Sequence, residues 1–331
     1  MEECVIRYAQ KDDIVDIMRF IDENWKAGHI LSYNRMLFEW QYVTNEKVNM
    51  IVGVNEKGQF DAILGYIPYS GDSDKDFSLA LWKAKNRTSF LGVKLLMFLL
   101  REESHRHVFC NGINVKTSAG IYHRLNIKTD QLTQWYRLRN VSGYKIAVVN
   151  DKCIPSIQAE YEYTLKEVFD VEMLEKISSA KMFDRKRSPY KSPEYIEKRY
   201  FKHPIYKYDV YAVTKENQLA DAAIVIRVQE YNNSCVMRVI DVIGDYSILE
   251  FITDKLDELV KKYEAEYMDI YEYGIEKKTL SDAGWIEVGI NGNIIPNYFA
   301  PYSPCNITIN ISTSDENIVL FKGDGDQDRP N

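Results

Sequence analysis

Residues that could ligate a metal or form a reactive thiol pair are few and scattered along the chain. There are five cysteines, at Cys4, Cys110, Cys153, Cys235 and Cys305. None belongs to a Cys-x-x-Cys pair, which disfavours a disulfide scaffold and a zinc–thiolate site and favours a reducing cytoplasm. The acidic end Asp324-Gly-Asp326-Gln-Asp328 has the alternation of a calcium loop but lacks its mid-loop glycine and distal glutamate. We therefore predict no metal site, and a turn or an acidic end folded back onto the protein.

A second group of charges is basic. Lys181, Arg185, Lys186 and Arg187 form a run that only Asp184 interrupts. Such a run is usually a solvated loop, but it could also steer a nucleotide diphosphate into a cleft.

Length, composition and charge are those of an ordinary globular protein. The chain has 331 residues, 45% hydrophobic and 27% charged, with a net charge of −7. Domains of about 150 residues make two domains the first expectation. The negative charge argues against a protein that coats nucleic acid. The longest apolar run, Phe90 to Leu100, is far shorter than the roughly 20 residues that span a bilayer, and the N-terminus has no signal-peptide pattern. We expect a cytoplasmic protein with no membrane or nucleic-acid partner.

Strand and helix signals alternate in the first half of the chain. Apolar residues at helical spacing from Ile14 to Trp25 predict a first helix, and a second is predicted from Ser32 to Val43. The segment Phe90 to Glu103 is apolar nearly all round, which predicts a buried helix. The remaining predictions are strands at Val5–Tyr8, Asn49–Val54, Phe60–Tyr66, Asp76–Leu81 and His107–Asn114, a short helix over Ser118–Leu125, and a strand or loop over Lys128–Leu138.

The second half repeats this order of elements less clearly. A helix is predicted to end near Phe201, and a strongly amphipathic helix covers Ile248–Tyr263. The predicted strands are Tyr208–Thr214, Ala220–Gln229, Ser234–Gly244 and Tyr267–Tyr273. The repeat predicts an α/β (α+β) fold of two tandem domains, residues 1–150 and 151–331, each a mixed, mostly antiparallel sheet flanked by helices.

Two joints between the predicted elements have distinctive sequences. The loop before the long apolar helix reads Arg87-Thr-Ser-Phe90-Leu-Gly92, and the segment after the fifth strand reads Tyr122-His-Arg-Leu-Asn126-Ile127. With the element order, they resemble the GNAT superfamily of acyl-coenzyme A N-acyltransferases, whose loop pattern is Arg/Gln-x-x-Gly-x-Gly/Ala. Arg87 and Gly92 match this pattern, and Phe90 replaces its first glycine.

The resemblance implies that an acyl-CoA lays its pyrophosphate on the N-terminus of this helix, where unpaired N–H groups bind phosphate. An ordinary capped core helix is the alternative. The resemblance implies seven coenzyme-binding residues: Leu81, Arg87, Thr88, Ser89, Phe90, Leu91 and Gly92. In the second half, the segment that corresponds to Tyr122–Ile127 is Leu280 to Trp285, and it lacks the tyrosine. The segment that corresponds to the loop before the long helix is Val242 to Ser247, and it lacks the basic residue. We therefore predict that only the first half binds a coenzyme. The second half would then shape the acceptor pocket or a dimer interface.

The same resemblance implies catalytic roles. In the family, the tyrosine at the position of Tyr122 protonates the departing thiolate, so Tyr122 is the predicted general acid. A base must remove a proton from the attacking ammonium, and His29 is the predicted base because its segment overlies the acceptor site in such folds. Glu39 and Asp76 are alternative bases, and together with Trp25 they are the predicted acceptor contacts. A backbone N–H would polarise the thioester carbonyl.

A narrower resemblance concerns Trp25-Lys-Ala-Gly-His29-Ile-Leu, Leu37-Phe-Glu-Trp-Gln41 and the end of the chain from Phe321 to Asn331. These segments look like those of tandem acyltransferases from bacterial surface-polysaccharide gene clusters. This implies N-acylation of a small-molecule amino sugar, usually nucleotide-linked, by direct transfer from acetyl-CoA or another acyl-CoA, and it allows a homodimer. Two alternatives stay open: a Fem-type aminoacyl-tRNA-dependent transferase, and an inactive coenzyme- or sugar-binding module.

Overall fold

A continuous mixed β-sheet forms the frame of the protein. The computed structural model describes residues 4–86, 90–154 and 162–330, and within them one sheet has 14 strands and is flanked by helices. The predicted fold class, a mixed sheet flanked by helices, is confirmed. Among these residues, no helix combines the length and apolar character that crossing a membrane requires.

The first half contributes six main strands, β1 (Val5–Tyr8), β2 (Met50–Val54), β3 (Phe60–Pro68), β4 (Phe77–Ala84), β5 (Val108–Asn111) and β6 (Lys128–Leu138). The first four are antiparallel neighbours in chain order. β4 and β5 run parallel, and their described pairs are Phe77 with Val108 and Ser78 with Phe109. Because β4 continues to Ala84 without further pairs to β5, a wedge opens between the two strands.

Helices cover both faces of this part of the sheet, since successive side chains of a strand point to opposite faces. On one face, α1 (Ile14–Asn24), α2 (Ile30–Tyr33) and α3 (Arg35–Tyr42) pack with Met50 and Val52. On the other, α4 (Leu91–Glu102) and α5 (Val115–Arg124) pack with Ile51. α4 packs against the sheet, as predicted, through one stripe of buried side chains, while Met97 on its outer side is 48% exposed.

The second half repeats the arrangement. Its main strands are β7 (Tyr163–Val168), β8 (Asp209–Lys215), β9 (Ala222–Tyr231), β10 (Ser234–Gly244), β11 (Tyr267–Tyr273), β12 (Ile309–Thr313) and β13 (Leu320–Phe321). The fourteenth strand of the sheet, Ile286–Glu287, is short and pairs with β6. Its helices are α6 (Val171–Ile177), α7 (Pro193–Ile196), which continues as a π-helical turn over Glu197–Phe201, α8 (Thr253–Lys262) and α9 (Lys277–Asp282). The single helix predicted over Ile248–Tyr263 is a 3₁₀ turn followed by α8, because Ile252 between them leaves helical geometry.

The two halves exchange strands near their C-terminal ends. β12 lies between β5 and β6 of the first half. The second part of β6 pairs instead with β11, from Thr133 opposite Glu272 to Leu138 opposite Tyr267. The sheet therefore passes from one half to the other through β6. The division into domains at residue 150 stays a prediction.

Candidate active site

A cleft lies where β4 and β5 diverge. It measures about 640 Å³ and is bounded by the end of β4, the start of α4 and one side of α5 along its length. Its lining includes Trp25, Trp82, Phe90, Gly92 and Ser118. We name this cavity the splay cleft.

The charges around the splay cleft have one sign. Lys83, Lys116 and Arg124 line it, and none of the described residues in its wall is acidic. The chain as a whole carries a net charge of −7, so this excess of positive charge is local. A concave surface with charge of one sign concentrates ligands of the opposite sign. The cleft is therefore suited to an anionic ligand.

The start of α4 forms one side of this cleft. Arg87, Thr88 and Ser89 lie outside the described residues, so their predicted coenzyme contacts stay predictions. Phe90 has φ 53° and ψ 12°, a left-handed conformation that favours glycine, at the position where the GNAT pattern has its first glycine. Trp82 Nε1 donates to the carbonyl oxygen of Gly92 at 3.0 Å, which ties the start of α4 to β4. Leu91, by contrast, is buried in the core on the same face.

β4 is distorted just before the cleft. Leu64 pairs with Trp82 and Gly65 pairs with Ala80, so Leu81 is an extra residue, and its φ is 47°. A bulge bends its strand and takes backbone groups out of the ladder. A left-handed leucine inside a strand is strained, and such strain is common at functional sites. The predicted coenzyme contact Leu81 thus lies at the most irregular point of β4, although its side chain is buried.

Tyr122 lies on α5, which lines the cleft through Ser118, Ile121 and Leu125. Its side chain is 2% exposed, and its ring centroid is 5.9 Å from that of Trp82. The hydroxyl faces Ser312 of β12 and Cys110 of β5. Burial raises the pKa of the Tyr122 phenol well above its usual value. This shift makes the Tyr122 phenol a weaker acid than a free tyrosine.

His29 caps the start of α2. Its Nδ1 accepts from the backbone N–H of Leu31 at 3.2 Å, whereas Nε2 is buried and has no hydrogen-bond partner. Burial, together with the charges of Arg329 and Lys26, lowers the pKa of His29 to about 4. His29 is therefore neutral but only weakly basic at pH 7. The ring centroids of His29 and Trp25 are 4.6 Å apart, and Trp25 lines the splay cleft.

The pKa of His29 predicts how stability depends on pH. The folded imidazole titrates near pH 4 and an unfolded one near pH 6.5, so the unfolded chain binds an extra proton between these values. Stability should fall as the pH falls through this window. The titration of His29 alone should lower the free energy of unfolding by about 2 kcal/mol at pH 5 relative to pH 7. We expect His29→Asn, which keeps a cap acceptor, to lose less thermal stability than wild type between pH 7 and pH 5. The exposed His123→Asn serves as the control, and an unchanged pH dependence in His29→Asn would contradict the prediction.

Of the predicted site residues that the structure describes, Trp25, Phe90 and Gly92 line the splay cleft, whereas Tyr122, His29, Leu81, Leu91, Glu39 and Asp76 do not. Glu39 is on an exposed part of α3 and pairs with Arg35 at 2.7 Å. Asp76 is buried at the start of β4, where its carboxylate accepts from Arg106 Nε at 3.0 Å and from the backbone N–H of Tyr190 at 2.7 Å. These contacts hold a loop of the second half against β4. The acceptor and base roles of Glu39 and Asp76 stay predictions without geometric support.

The basic run lies on the surface of the second half. Lys181 pairs with Asp221 at 3.0 Å, and Arg185 pairs with Asp72 at 2.6 Å. Both cations are more than half exposed, as expected for a solvated loop, whereas Lys186 and Arg187 line a cavity and the Arg187 side chain is 28% exposed.

The sequence did not indicate that the C-terminal segment belongs to the centre of the molecule. We name residues 322–330, which follow β13, the tail. Asp324, Asp326 and Asp328 are all buried, with exposed fractions of 0%, 6% and 1%. Asn111 Nδ2 donates to the carbonyl oxygens of Phe321 and Asp324, which holds the tail against β5. The prediction of an acidic end folded back onto the protein is confirmed.

Glycines let the tail pack this closely. A Cβ on Gly323 would lie 2.6 Å from the Tyr200 hydroxyl, and one on Gly325 would lie 2.7 Å from Ser78 Oγ. The three carboxylates of the tail have different partners: Asp324 pairs with Lys191, Asp326 with Arg329 and Asp328 with Arg227. They do not converge on one point, and no group of three or more His, Cys, Asp or Glu side chains in the described part of the chain could hold a metal ion.

Several buried polar atoms have no well-aligned hydrogen bond. They include His29 Nε2, Gln41 Nε2, the Tyr42 and Tyr195 hydroxyls, Asn111 Oδ1, Ser312 Oγ and His203 Nε2. Buried polar groups are normally hydrogen-bonded, and exceptions are typical of functional sites. Arg329 connects the tail to the splay cleft, because its guanidinium lies 5.4 Å from the ring centroid of Trp25.

Comparisons with known proteins bear on the fold. Neither a protein-family model nor a curated protein sequence matches this chain. Among solved structures, a GCN5-related N-acetyltransferase from Anabaena variabilis is similar with a TM-score of 0.59 and 9% identity, over 94% of this chain and 72% of that one. A Pyrococcus horikoshii protein to which acetyltransferase activity is attributed gives a TM-score of 0.50 and 13% identity, over 96% and 92% of the two chains.

A third similar structure is part of a longer protein. It contains the GCN5-related glucosamine N-acetyltransferase region of a fungal multi-domain β-N-acetylglucosaminidase, with a TM-score of 0.54 and 12% identity, over 95% of this chain and 38% of that one. Sequence identities this low support a shared fold but do not show a shared activity. The similarity extends along nearly the whole chain in all three cases. The chain therefore has the fold of the GCN5-related N-acetyltransferases.

Proposed function

We propose that this protein is an acyl-CoA-dependent N-acyltransferase, with acetyl-CoA as its simplest donor and an amino sugar, usually nucleotide-linked and used in surface polysaccharide synthesis, as its acceptor. The observation that carries the proposal is the splay cleft, a cavity lined by three cations and by no acidic described residue, next to the start of α4. A helix N-terminus and nearby cations are the ordinary means of binding a diphosphate.

The residues of the splay cleft fit an acyl-CoA. Its volume of about 640 Å³ lies within the range of roughly 300–1,000 Å³ that is usual for cofactor sites. Lys83, Lys116 and Arg124 would hold phosphate groups. An acyl-CoA, when bound, supplies an activated thioester carbonyl. The strained turn at Phe90 presents the start of α4 to the cleft, as the glycine of the GNAT pattern does.

The proposed reaction needs a proton donor and a proton acceptor from the chain. Tyr122 is the proposed donor because its helix lines the splay cleft, although burial raises its pKa and makes it a weaker acid. Its proton would go to the departing thiolate. The acceptor ammonium loses one proton to a base before it attacks, and its second proton, lost as the amide forms, restores the Tyr122 phenol. His29 is neutral at pH 7, and its unpartnered Nε2 can accept the first proton, although its low pKa makes it a weak base.

An amino sugar as acceptor and the cytoplasm as location rest on other observations. One of the similar structures contains a glucosamine N-acetyltransferase region. The resemblance of the segments from Trp25, from Leu37 and from Phe321 to polysaccharide-cluster enzymes favours the same substrate class. All five cysteines are free thiols, which favours a reducing compartment.

Coenzyme binding tests the proposed function. We expect acetyl-CoA to bind wild type in isothermal titration, and Lys116→Ala and Arg124→Ala each to raise its Kd about tenfold, because each removes a charge-assisted contact worth about 1.5 kcal/mol. The loss should be smaller at high salt. Lys278→Ala is the matched control, since Lys278 is an exposed lysine on α9, the helix of the second half that corresponds to α5.

Two results would contradict the proposal. If acetyl-CoA does not bind to wild type, the hypothesis that it is the acyl donor is rejected. An equal loss of affinity in Lys278→Ala would show that binding does not depend on the splay cleft. Coenzyme binding without turnover of any amine would favour the inactive module.

A further inference from the structure

A second cavity, of about 320 Å³, lies between α3 of the first half and the helical segment α7–Phe201 of the second. We name it the α3–α7 cavity. Trp40 and Gln41 line it from α3, Tyr195 lines it from α7, and Asp326 and Arg329 of the tail also belong to its wall. Neither half of the chain could form this cavity alone.

The two helical walls are tied to each other. Trp40 Nε1 donates to the carbonyl oxygen of Lys198 at 3.1 Å, and Lys198 Nζ donates to the carbonyl oxygen of Val43 at 3.0 Å. The cavity is therefore a fixed feature of the contact between the halves.

Two buried polar side chains in this wall have no well-aligned hydrogen bond. Gln41 is 6% exposed and Tyr195 is 7% exposed, and Gln41 Nε2 and the Tyr195 hydroxyl lie only near the hydroxyls of Tyr42 and Tyr69. The neighbouring Tyr69 hydroxyl already donates to Asp324 and accepts from the backbone N–H of Gly325. An amide and a hydroxyl that are buried in a cavity wall without a well-aligned hydrogen bond are suited to a polar ligand inside it.

The tail connects this cavity to the reaction centre. Asp326 pairs with Arg329, and Arg329 lies over Trp25, which lines the splay cleft. The charges of Asp326 and Arg329 also act on Cys110, which faces the Tyr122 hydroxyl. A ligand in the α3–α7 cavity would therefore lie beside the residues that border the inner end of the splay cleft.

Lys198, Arg199 and Arg329 give the wall three cations, and it also contains three other kinds of group. The indole of Trp40 and the phenol ring of Tyr195 offer flat apolar surfaces. Gln41 and the Tyr195 hydroxyl offer hydrogen bonds, and Asp326, which pairs with Arg329, offers a carboxylate. A sugar ring that carries an amino group needs all three, since its C–H face stacks on aromatic rings, its hydroxyls form hydrogen bonds and its ammonium pairs with a carboxylate.

We propose that the α3–α7 cavity is the acceptor site, that it takes the amino-sugar ring, and that Asp326 receives the ammonium group of this ring. The proposal rests on the proposed N-acyltransferase function and assigns the acceptor to residues other than Glu39 and Asp76. It also gives the second half a role, because Tyr195 comes from there.

Glucosamine and N-acetylglucosamine are the probes of the test, and their binding is measured by saturation-transfer NMR with CoA present at saturation. We expect Tyr195→Phe and Gln41→Leu each to weaken glucosamine binding about tenfold. Asp326→Asn should weaken glucosamine at least tenfold and N-acetylglucosamine much less, because only the first carries the positive charge. Tyr144→Phe is the matched control, since its hydroxyl donates to the Arg139 carbonyl oxygen at a different place in the fold.

Separate measurements keep this proposal distinct from the proposed function. Acetyl-CoA affinity and melting temperature should be unchanged in Tyr195→Phe and Gln41→Leu, whereas Lys116→Ala should affect acetyl-CoA alone. Wild-type affinity for glucosamine in these variants, or no glucosamine binding to wild type, overturns the acceptor site. If acetyl-CoA does not bind, the proposed function fails, and the same glucosamine titrations without CoA decide on the cavity.

Discussion

Replacing Tyr122 by phenylalanine is expected to lower kcat with acetyl-CoA about 100-fold, the lower end of what a general acid contributes. The hydroxyl is buried between Cys110 of β5 and Ser312 of β12, and Tyr122 belongs to the helix that lines the splay cleft. Phenylalanine keeps the ring, so packing against Trp82 is preserved. Steady-state rates with an amine acceptor and a thiol-detecting reagent measure the effect.

The affinity for acetyl-CoA and the melting temperature of Tyr122→Phe should stay close to those of wild type. Tyr144→Phe again serves as the control for a tyrosine hydroxyl elsewhere. Turnover at the wild-type rate in Tyr122→Phe would leave Tyr122 with a packing role only. A loss of affinity for acetyl-CoA in proportion to the loss of rate would point to binding instead of proton donation.

Replacing Asp328 by alanine is expected to destabilise the fold by about 3–5 kcal/mol, the usual cost of removing one partner of a buried ion pair. Its carboxylate is 1% exposed, accepts from Arg227 at 2.5 Å and from the Tyr208 hydroxyl at 2.8 Å. Burial alone would raise the pKa of Asp328, but the charges of Arg227, Lys322 and Arg199 hold that pKa well below its usual range. Without the carboxylate, these cations stay buried and unpaired.

Urea unfolding followed by circular dichroism measures this loss. The exposed Asp282→Ala is the control and should change the free energy of unfolding little. Since the folded-state pKa of Asp328 is depressed, its stabilisation is present above the carboxyl pKa of an unfolded chain and is lost on further acidification. A free energy of unfolding equal to that of wild type in Asp328→Ala would mean that the tail is not needed to hold the halves together.

Part of the site could be predicted because it depends on residues that are close together in the sequence. Gly92 and the loop around Phe90 lie at a strand-to-helix joint, and the apolar spacing on both sides placed that joint. The predicted coenzyme contact Phe90 lines the splay cleft, and Tyr122 lies on the helix that forms its other side. The sequence did not indicate the cations Lys83, Lys116 and Arg124, since no spacing in the sequence brings one strand and two helices to one cavity.

The tail shows why the rest could not be predicted. Its alternating aspartates were weighed as a metal loop, but their partners Tyr69, Lys191 and Arg227 lie at sequence separations of about 100 residues or more. The pKa of His29 is equally non-local, because burial and the charge of Arg329 lower it. A near-neutral histidine was expected on sequence grounds, and the fold makes it a weak base.

The sequence by itself determined the order of strands and helices, the mixed sheet and the joint at which a phosphate-binding loop would lie. These features depend on apolar periodicity and turn residues within a few positions of one another. Only the tertiary structure decided that β12 inserts into the first half, that the acidic tail fills the centre, and that Gln41, Tyr195 and Asp326 border one cavity. Those outcomes depend on burial and on pairs of charges far apart in the chain, whose free energies exist only once the sheet has formed.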